Sequence, residues 1–197
     1  IPFTWPSVSA SANAAYLTLL KGSTPLSDAQ AERLVAFMRG DRTVEGTLGI
    51  RTRNPVNILG PIVNSSPWIQ DRPVARFRTS QHPGYAAFAA ANASRARLLW
   101  VGAGDGMLHA FNATSGAPVM SYVPEALTPR LSSLTSQASV TAFVDGNAFT
   151  ADVNVAAPAS APDWRTYAFG TLGRGGRGVF ALDATNTATL DAAGTTG

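Results

Sequence analysis

Leu98-Leu-Trp-Val-Gly-Ala-Gly-Asp-Gly-Met-Leu-His-Ala-Phe-Asn-Ala-Thr114 is the stretch on which the fold turns. It is apolar to Val101, breaks at Gly102-Ala-Gly-Asp-Gly106, resumes with small and apolar residues to Phe111, and closes on Asn112-Ala-Thr114. Short apolar runs parted by Gly and Asp predict strands joined by a tight turn, because Gly supplies positive φ and Asp bonds its own backbone. The same order returns in Thr166-Tyr-Ala-Phe-Gly-Thr-Leu-Gly-Arg-Gly-Gly-Arg-Gly-Val-Phe-Ala-Leu-Asp-Ala-Thr185. Leu108, Ala110, Phe111, Asn112, Ala113 and Thr114 match Val179, Ala181, Leu182, Asp183, Ala184 and Thr185.

Upstream of each copy lies a second pair, Val63-Asn-Ser-Ser-Pro-Trp-Ile69 and Val144-Asp-Gly-Asn-Ala-Phe-Thr150. Each unit thus has the order strand, variable loop, strand, Gly-rich turn, strand. The spacing is about 71 residues for the later part and about 81 for the earlier, so the loop after the first strand differs by some ten residues. Repeated sheets tolerate insertions of this kind in their loops. Strands are predicted at Ile62 to Gln70, Leu98 to Ala103, Met107 to Asn112, Val119 to Val123, Ala142 to Val155, Thr166 to Leu172 and Gly178 to Asp183. The single predicted helix runs from Leu26 to Met38, with Ser27 and Gln30 as a capping box and Ala31, Leu34, Val35 and Met38 on one stripe. The expected architecture is all-β: residues 1–56 as a lead-in whose one helix, about 27–39, packs on the sheets, and residues 57–197 as the first two or so blades of a β-propeller truncated at its C-terminus. One such blade is marginal alone, so further blades are expected beyond Gly197.

Composition narrows the function. Of the chain's 197 residues 45% are hydrophobic and 14% charged, too apolar for a disordered segment. The net charge is only +3 and the arginines are scattered, which leaves no electrostatic footprint for nucleic acid. Arg72, Arg76 and Arg78, the nearest thing to a basic run, read as a solvated loop. The absence of Cys removes thiolate metal sites, disulfides and cysteine nucleophiles. No apolar stretch approaches the ~20 residues of a membrane span.

The string from Trp100 to Gly116 resembles the repeat of quinoprotein-type propellers, with their Gly-x-x-Asp-Gly turn and Ala-Phe-Asp-Ala-x-Thr-Gly strand end. A narrower resemblance is to the PilC/PilY family of type IV pilus biogenesis factors and tip-associated adhesins. It rests on Val35-Ala-Phe-Met-Arg-Gly-Asp-Arg42, Leu59-Gly-Pro-Ile-Val-Asn-Ser-Ser-Pro67, Val101 to Phe111 with Tyr122-Val-Pro-Glu-Ala-Leu127, and Trp164-Arg-Thr with Gly173 to Asp183. These occur in the family's order over about residues 35–185. The resemblance implies a propeller of a large extracytoplasmic protein at the bacterial surface, pilus tip or outer membrane, non-enzymatic and serving pilus biogenesis, attachment and twitching motility. Its implied partners are pilins or minor pilins and a receptor on a host or abiotic surface. Family members often bind calcium through an Asp-x-Asp-x-Asp-Gly loop, which this sequence lacks, so no cofactor is expected in this segment and calcium is left to the rest of the protein. Asp145-Gly-Asn147 offers too few oxygens for calcium and reads as a turn.

Other motifs weigh less. Gly173-Arg-Gly-Gly-Arg-Gly178 satisfies a dinucleotide fingerprint in letters, but Val179-Phe-Ala-Leu-Asp183 behind it reads as a strand where the fingerprint needs a helix. His82 lies in a Pro/Gly loop and His109 in a strand, without acidic spacing suggestive of a metal pair or a general base. Asn-x-Ser/Thr tripeptides at Asn64, Asn92 and Asn112 read as chance or turn chemistry. No catalytic, metal or cofactor residue is assigned. Arg39-Gly40-Asp41, a tripeptide that adhesion receptors can recognise, is the one partner-binding candidate, although Gly40 is also placed to end the helix. The competing class is a quinone-dependent dehydrogenase, which needs a calcium-held quinone beside a carboxylate and commonly a Cys pair.

Overall fold

The computed structural model of the chain describes residues 1–78, 80–136, 141–158, 160–188 and 190. Its strands form two antiparallel sheets in simple meander order. The first holds β1 (Trp68–Gln70), β2 (Leu98–Gly102), β3 (Leu108–Asn112) and β4 (Pro118–Tyr122); the second holds β5 (Ala148–Asn154), β6 (Trp164–Thr171) and β7 (Val179–Asp183).

The repeat is physical. In the first sheet Leu98 lies opposite Asn112 and Gly102 opposite Leu108; in the second Tyr167 lies opposite Asp183 and Thr171 opposite Val179. Strands β3 and β7, matched residue by residue in sequence, therefore hold the same third place in their sheets. Trp68 pairs with Trp100 as Phe149 pairs with Phe169, which puts β1 and β5 in register as well. Gly106, at φ 94°, closes the β2–β3 turn in a conformation that a side chain resists.

Two predicted strands are shorter than expected. Ile62 to Gln70 is strand only from Trp68, because Pro67 interrupts it and the Asn64 and Ser66 amides are taken by the Asp145 and Asn147 side chains just before β5. Within Ala142 to Val155 the strand begins at Ala148. Upstream of it, Val144 donates to the Ala103 carbonyl, and Asp145 and Gly146 donate to Leu172 and Thr171, so this segment bridges the two sheets.

The lead-in, expected to hold one helix, holds three: α1 (Trp5–Val8), α2 (Ala14–Lys21) and α3 (Asp28–Met38). The predicted cap of α3 is present in full, Gln30 N–H donating to Ser27 Oγ and Ser27 N–H to the Gln30 side chain. A further helix, α4 (Tyr85–Ala91), lies between β1 and β2. Between β4 and β5, Glu125–Thr135 is 3₁₀, with Leu127, Leu131 and Leu134 buried against α2 and α3. One apolar core joins Val8, Leu20, Leu34, Leu131, Trp100 and Phe143, so the lead-in and both sheets share a single interior. Arg53, itself buried, clips the lead-in together: it pairs with Glu45 at 2.7 Å, donates to the Phe37 carbonyl at 2.9 Å and lies 4.1 Å over the Phe37 ring.

Candidate functional site

Because each sheet is a meander, its connectors gather at two ends. The β2–β3 turn and the β4–β5 segment share one end with the lead-in helices, while the β1–β2 connector, residues 71–97, lies at the other beside the β5–β6 connector, residues 155–163. The first of these two connectors is far the longer, and it holds the extra residues seen in the repeat spacing.

At the helical end a cleft of about 1880 Å³ opens between lead-in and first sheet, with Phe3, Tyr16, Arg39, Ile58, His109 and Tyr122 among its walls. On its floor His109 bridges two partners, Nδ1 lying 2.8 Å from Ser121 Oγ and Nε2 3.1 Å from the Asp105 carboxylate. Sequence reading gave His109 no acidic neighbour; the tight turn supplies one, by folding Asp105 back beside β3. That carboxylate also accepts from Gly60 N–H at 2.7 Å and Met107 N–H at 3.2 Å. Ser, His and Asp here have the composition of a nucleophilic relay, but the carboxylate is committed to two backbone donors and locks the turn to the Gly60 segment. His109→Ala should therefore lower stability by about 1–3 kcal/mol in urea titration, since it leaves the half-buried Asp105 carboxylate with one partner fewer.

The seam between the sheets is made by side chains one repeat apart. Asn64 donates its backbone N–H and its side-chain amide to the Asp145 carboxylate, the latter at 2.7 Å. Ser66 N–H donates to Asn147 Oδ1 at 2.8 Å, and Trp68 Nε1 to Thr150 Oγ1 at 3.0 Å. Gln70, fully buried, accepts from Trp100 Nε1 at 2.8 Å and donates to the Ala184 carbonyl at 2.7 Å. Asp145-Gly-Asn147 is thus neither a bare turn nor a loose oxygen cluster, for its polar atoms are the pins of this seam. Among the described residues there is no group of three or more His, Asp or Glu placed to hold a metal ion.

The β1–β2 connector is held down on the second sheet. Tyr85 OH donates to Asp152 at 2.7 Å and accepts from Ala75 N–H at 3.1 Å; Trp164 Nε1 donates to the Pro83 carbonyl at 2.8 Å. Burial, reinforced by the Asp152 hydrogen bond, pushes the Tyr85 phenol up to about 12. A phenol raised in the folded state stabilises it below the ordinary value of about 10, and that contribution is lost as pH climbs through the folded value. Phenolate absorbance should accordingly show a last titration step near pH 12, which Tyr85→Phe removes.

Arg39, Gly40 and Asp41 lie at the end of α3. Gly40, at φ 93°, donates to the Phe37 carbonyl and Asp41 N–H to that of Ala36, a Schellman stop. Arg39 reaches the Phe3 carbonyl at 3.2 Å, and the Asp41 carboxylate, held below its ordinary range first by the Thr43 hydroxyl and then by the Thr43 amide, accepts from both. Gly173 to Gly178 forms a 3₁₀ turn that leads into β7, so it opens no helix. The amides of Asn64 and Asn92 are used, on Asp145 and the Phe88 carbonyl, and Asn112 Oδ1 accepts from Thr114 and Ser115 in the β3–β4 turn.

Successive antiparallel sheets built on one repeat and seamed by side chains one repeat apart define a class, the β-propeller domain. A family model described as the PilY1 beta-propeller domain matches residues 59–194, and the chain belongs to that family. It is 41% identical over 170 residues to a type IV pilus biogenesis factor PilY1 homolog of Xylella fastidiosa strain Temecula1, covering 84% of this chain and 14% of that protein. It is 35% identical over 198 residues to the type IV pilus biogenesis factor PilY1 of Pseudomonas aeruginosa strain PAK, covering 95% of this chain and 16% of that one. The crystal structure of the P. aeruginosa PilY1 C-terminal domain shares 30% identity with a TM-score of 0.44, over 62% of this chain and 24% of that chain. The chain therefore spans about one sixth of the length of the curated relatives it matches.

Proposed function

We propose that the chain is a non-enzymatic part of the type IV pilus machinery: a rigid propeller platform that presents connectors to pilins or minor pilins and to a receptor on a host or abiotic surface. The family match carries the reading, and the anchored β1–β2 connector supports it, because a display surface needs a loop held in one shape on a stiff frame. On this reading the chain works outside the cytoplasm, at the cell surface, pilus tip or outer membrane, and serves attachment and twitching. No helix among the described residues is long and apolar enough to cross a membrane. The 3₁₀ segment at Glu125–Thr135 is packed inward, which leaves residues 71–97 as the principal contact surface. Arg39, Gly40 and Asp41 are a second candidate, with receptor contact there requiring Asp41 to leave Thr43. Calcium, if the whole protein uses it, is assigned to other segments.

Deleting the gene in the source bacterium should abolish surface pili and attachment. Both should return with the intact gene and not with one lacking residues 57–197. Unchanged piliation after deletion overturns the reading. Reconstitution with a quinone and calcium should give no dye reduction, and turnover in that assay would favour the dehydrogenase instead.

A further inference from the structure

We propose that Arg72, Arg76, Phe77 and Arg78, on the β1–β2 connector, bind a carboxylated polysaccharide; the proposal rests on the surface-attachment reading and names its ligand class. The connector is a built surface. Besides the Tyr85 and Trp164 bonds, Arg95 donates to the Asp71 carbonyl and to Thr166 Oγ1, the latter at 2.7 Å, and Arg97 pairs with Asp71 at 3.2 Å. At the same end Arg165 is shared by Asp163 and Asp183, at 3.0 and 2.9 Å. Those three arginines are thus engaged within the fold.

Arg72, Arg76 and Arg78 are different. All three are exposed, and their side chains make no hydrogen bond or ion pair with any described residue. Three guanidiniums within seven positions repel one another weakly in water and gain most from an anion that can take them in pairs, since the planar fork matches a carboxylate. Between two of them stands Phe77, which a solvated loop does not call for. Its ring, 40% exposed, backs onto His82 at 4.5 Å, Tyr85 at 4.7 Å and Trp164 at 5.7 Å. That is an aromatic platform with one side to solvent and a cation on either flank in sequence. A sugar ring presents an apolar face to such a platform while its carboxylate meets the guanidiniums.

The charge pattern favours a sparse polyanion over nucleic acid. Duplex DNA carries one charge per ~1.7 Å and rewards a broad basic surface. Here the net charge of the whole chain is +3, and Asp71, Asp163 and Asp183 lie at the same end. A carboxylated sugar chain asks for few cations and one stacking ring, which matches what is free.

The test uses the purified 197-residue chain over immobilised polygalacturonate, neutral dextran and duplex DNA. Binding to polygalacturonate alone is expected. It should fall at least tenfold in Arg76→Ala/Arg78→Ala and in Phe77→Ala, and stay unchanged in Arg174→Ala/Arg177→Ala, which removes two exposed arginines from another turn. Circular dichroism checks that each variant is folded. Absence of polygalacturonate binding, equal or stronger binding to DNA, or binding indifferent to Phe77 each overturns the proposal. None of those results bears on the pilus count in the deletion strain, so the two readings fail separately.

Discussion

Gly175→Ala is expected to remove most of the cooperative unfolding transition seen by tryptophan fluorescence in urea. Gly175 lies buried in the 3₁₀ turn between β6 and β7, and a Cβ there would fall inside the Phe143 carbonyl group. Overpacking ordinarily costs about 1–3 kcal/mol because side chains shift, but here the obstacle is backbone. That backbone is held from both sides: Phe143 is fully buried, and Arg130 donates to the Gly175 and Ala142 carbonyls while lying 5.0 Å over the Phe143 ring. With no flexible neighbour to yield, a loss of about 3 kcal/mol or more follows, a large share of the 5–15 kcal/mol that a domain has. A variant within 1 kcal/mol of the parent in the same titration would mean that this turn does not pack on the segment crossing between the sheets.

The second large effect is expected at the seam. Asp145 is buried and takes both polar groups of Asn64, so Asp145→Ala leaves a backbone N–H and an amide without an acceptor. Hydrogen bonds to a charged acceptor contribute about 1.5–3 kcal/mol each, and partial rescue by water brings the expected loss for the pair to about 3 kcal/mol. Asp145→Asn keeps one carbonyl acceptor and should lose about half as much. The same variant should also open the segment before β1 to protease, because residues 61–67 have no strand partner of their own. Equal stability of parent and Asp145→Ala would mean that these bonds do not hold the two sheets together.

How much of this was legible in the sequence follows from what each feature depends on. The repeat was, since turn chemistry and strand-end residues recur at fixed spacing, and β2, β3, β6 and β7 lie within a residue or two of the predicted runs. The α3 helix was too, because its cap and stripe are local. Helices α2 and α4 were not: α4, Tyr85-Ala-Ala-Phe-Ala-Ala-Ala91, has no amphipathic stripe and is helical by alanine propensity and by docking through Tyr85. Residues 62–67 read as strand because Ile62 and Val63 join the apolar Trp68 and Ile69 in one short run, and only the fold reveals that Asp145 and Asn147, from the segment before β5, take the Asn64 and Ser66 amides. The Asp105–His109 contact was within reach, because a turn between two paired strands brings such residues together. What the sequence could not assign is the difference between Arg72, Arg76 and Arg78 and the paired Arg95, Arg97 and Arg165, since that is decided by contacts with distant acidic groups.

The two repeats form one body, sheet against sheet, with side chains of the second holding the backbone of the first. Amide hydrogen exchange at Asn64 and Ser66 tests it most directly, because both residues lie outside any strand and would exchange freely on their own. Strong protection of both amides in the parent is predicted, with the Asn64 amide exchanging at least tenfold faster in Asp145→Ala and the amides of β2 and β3 little changed. Fast exchange at Asn64 and Ser66 in the parent would contradict the seam and the two-blade platform built on it.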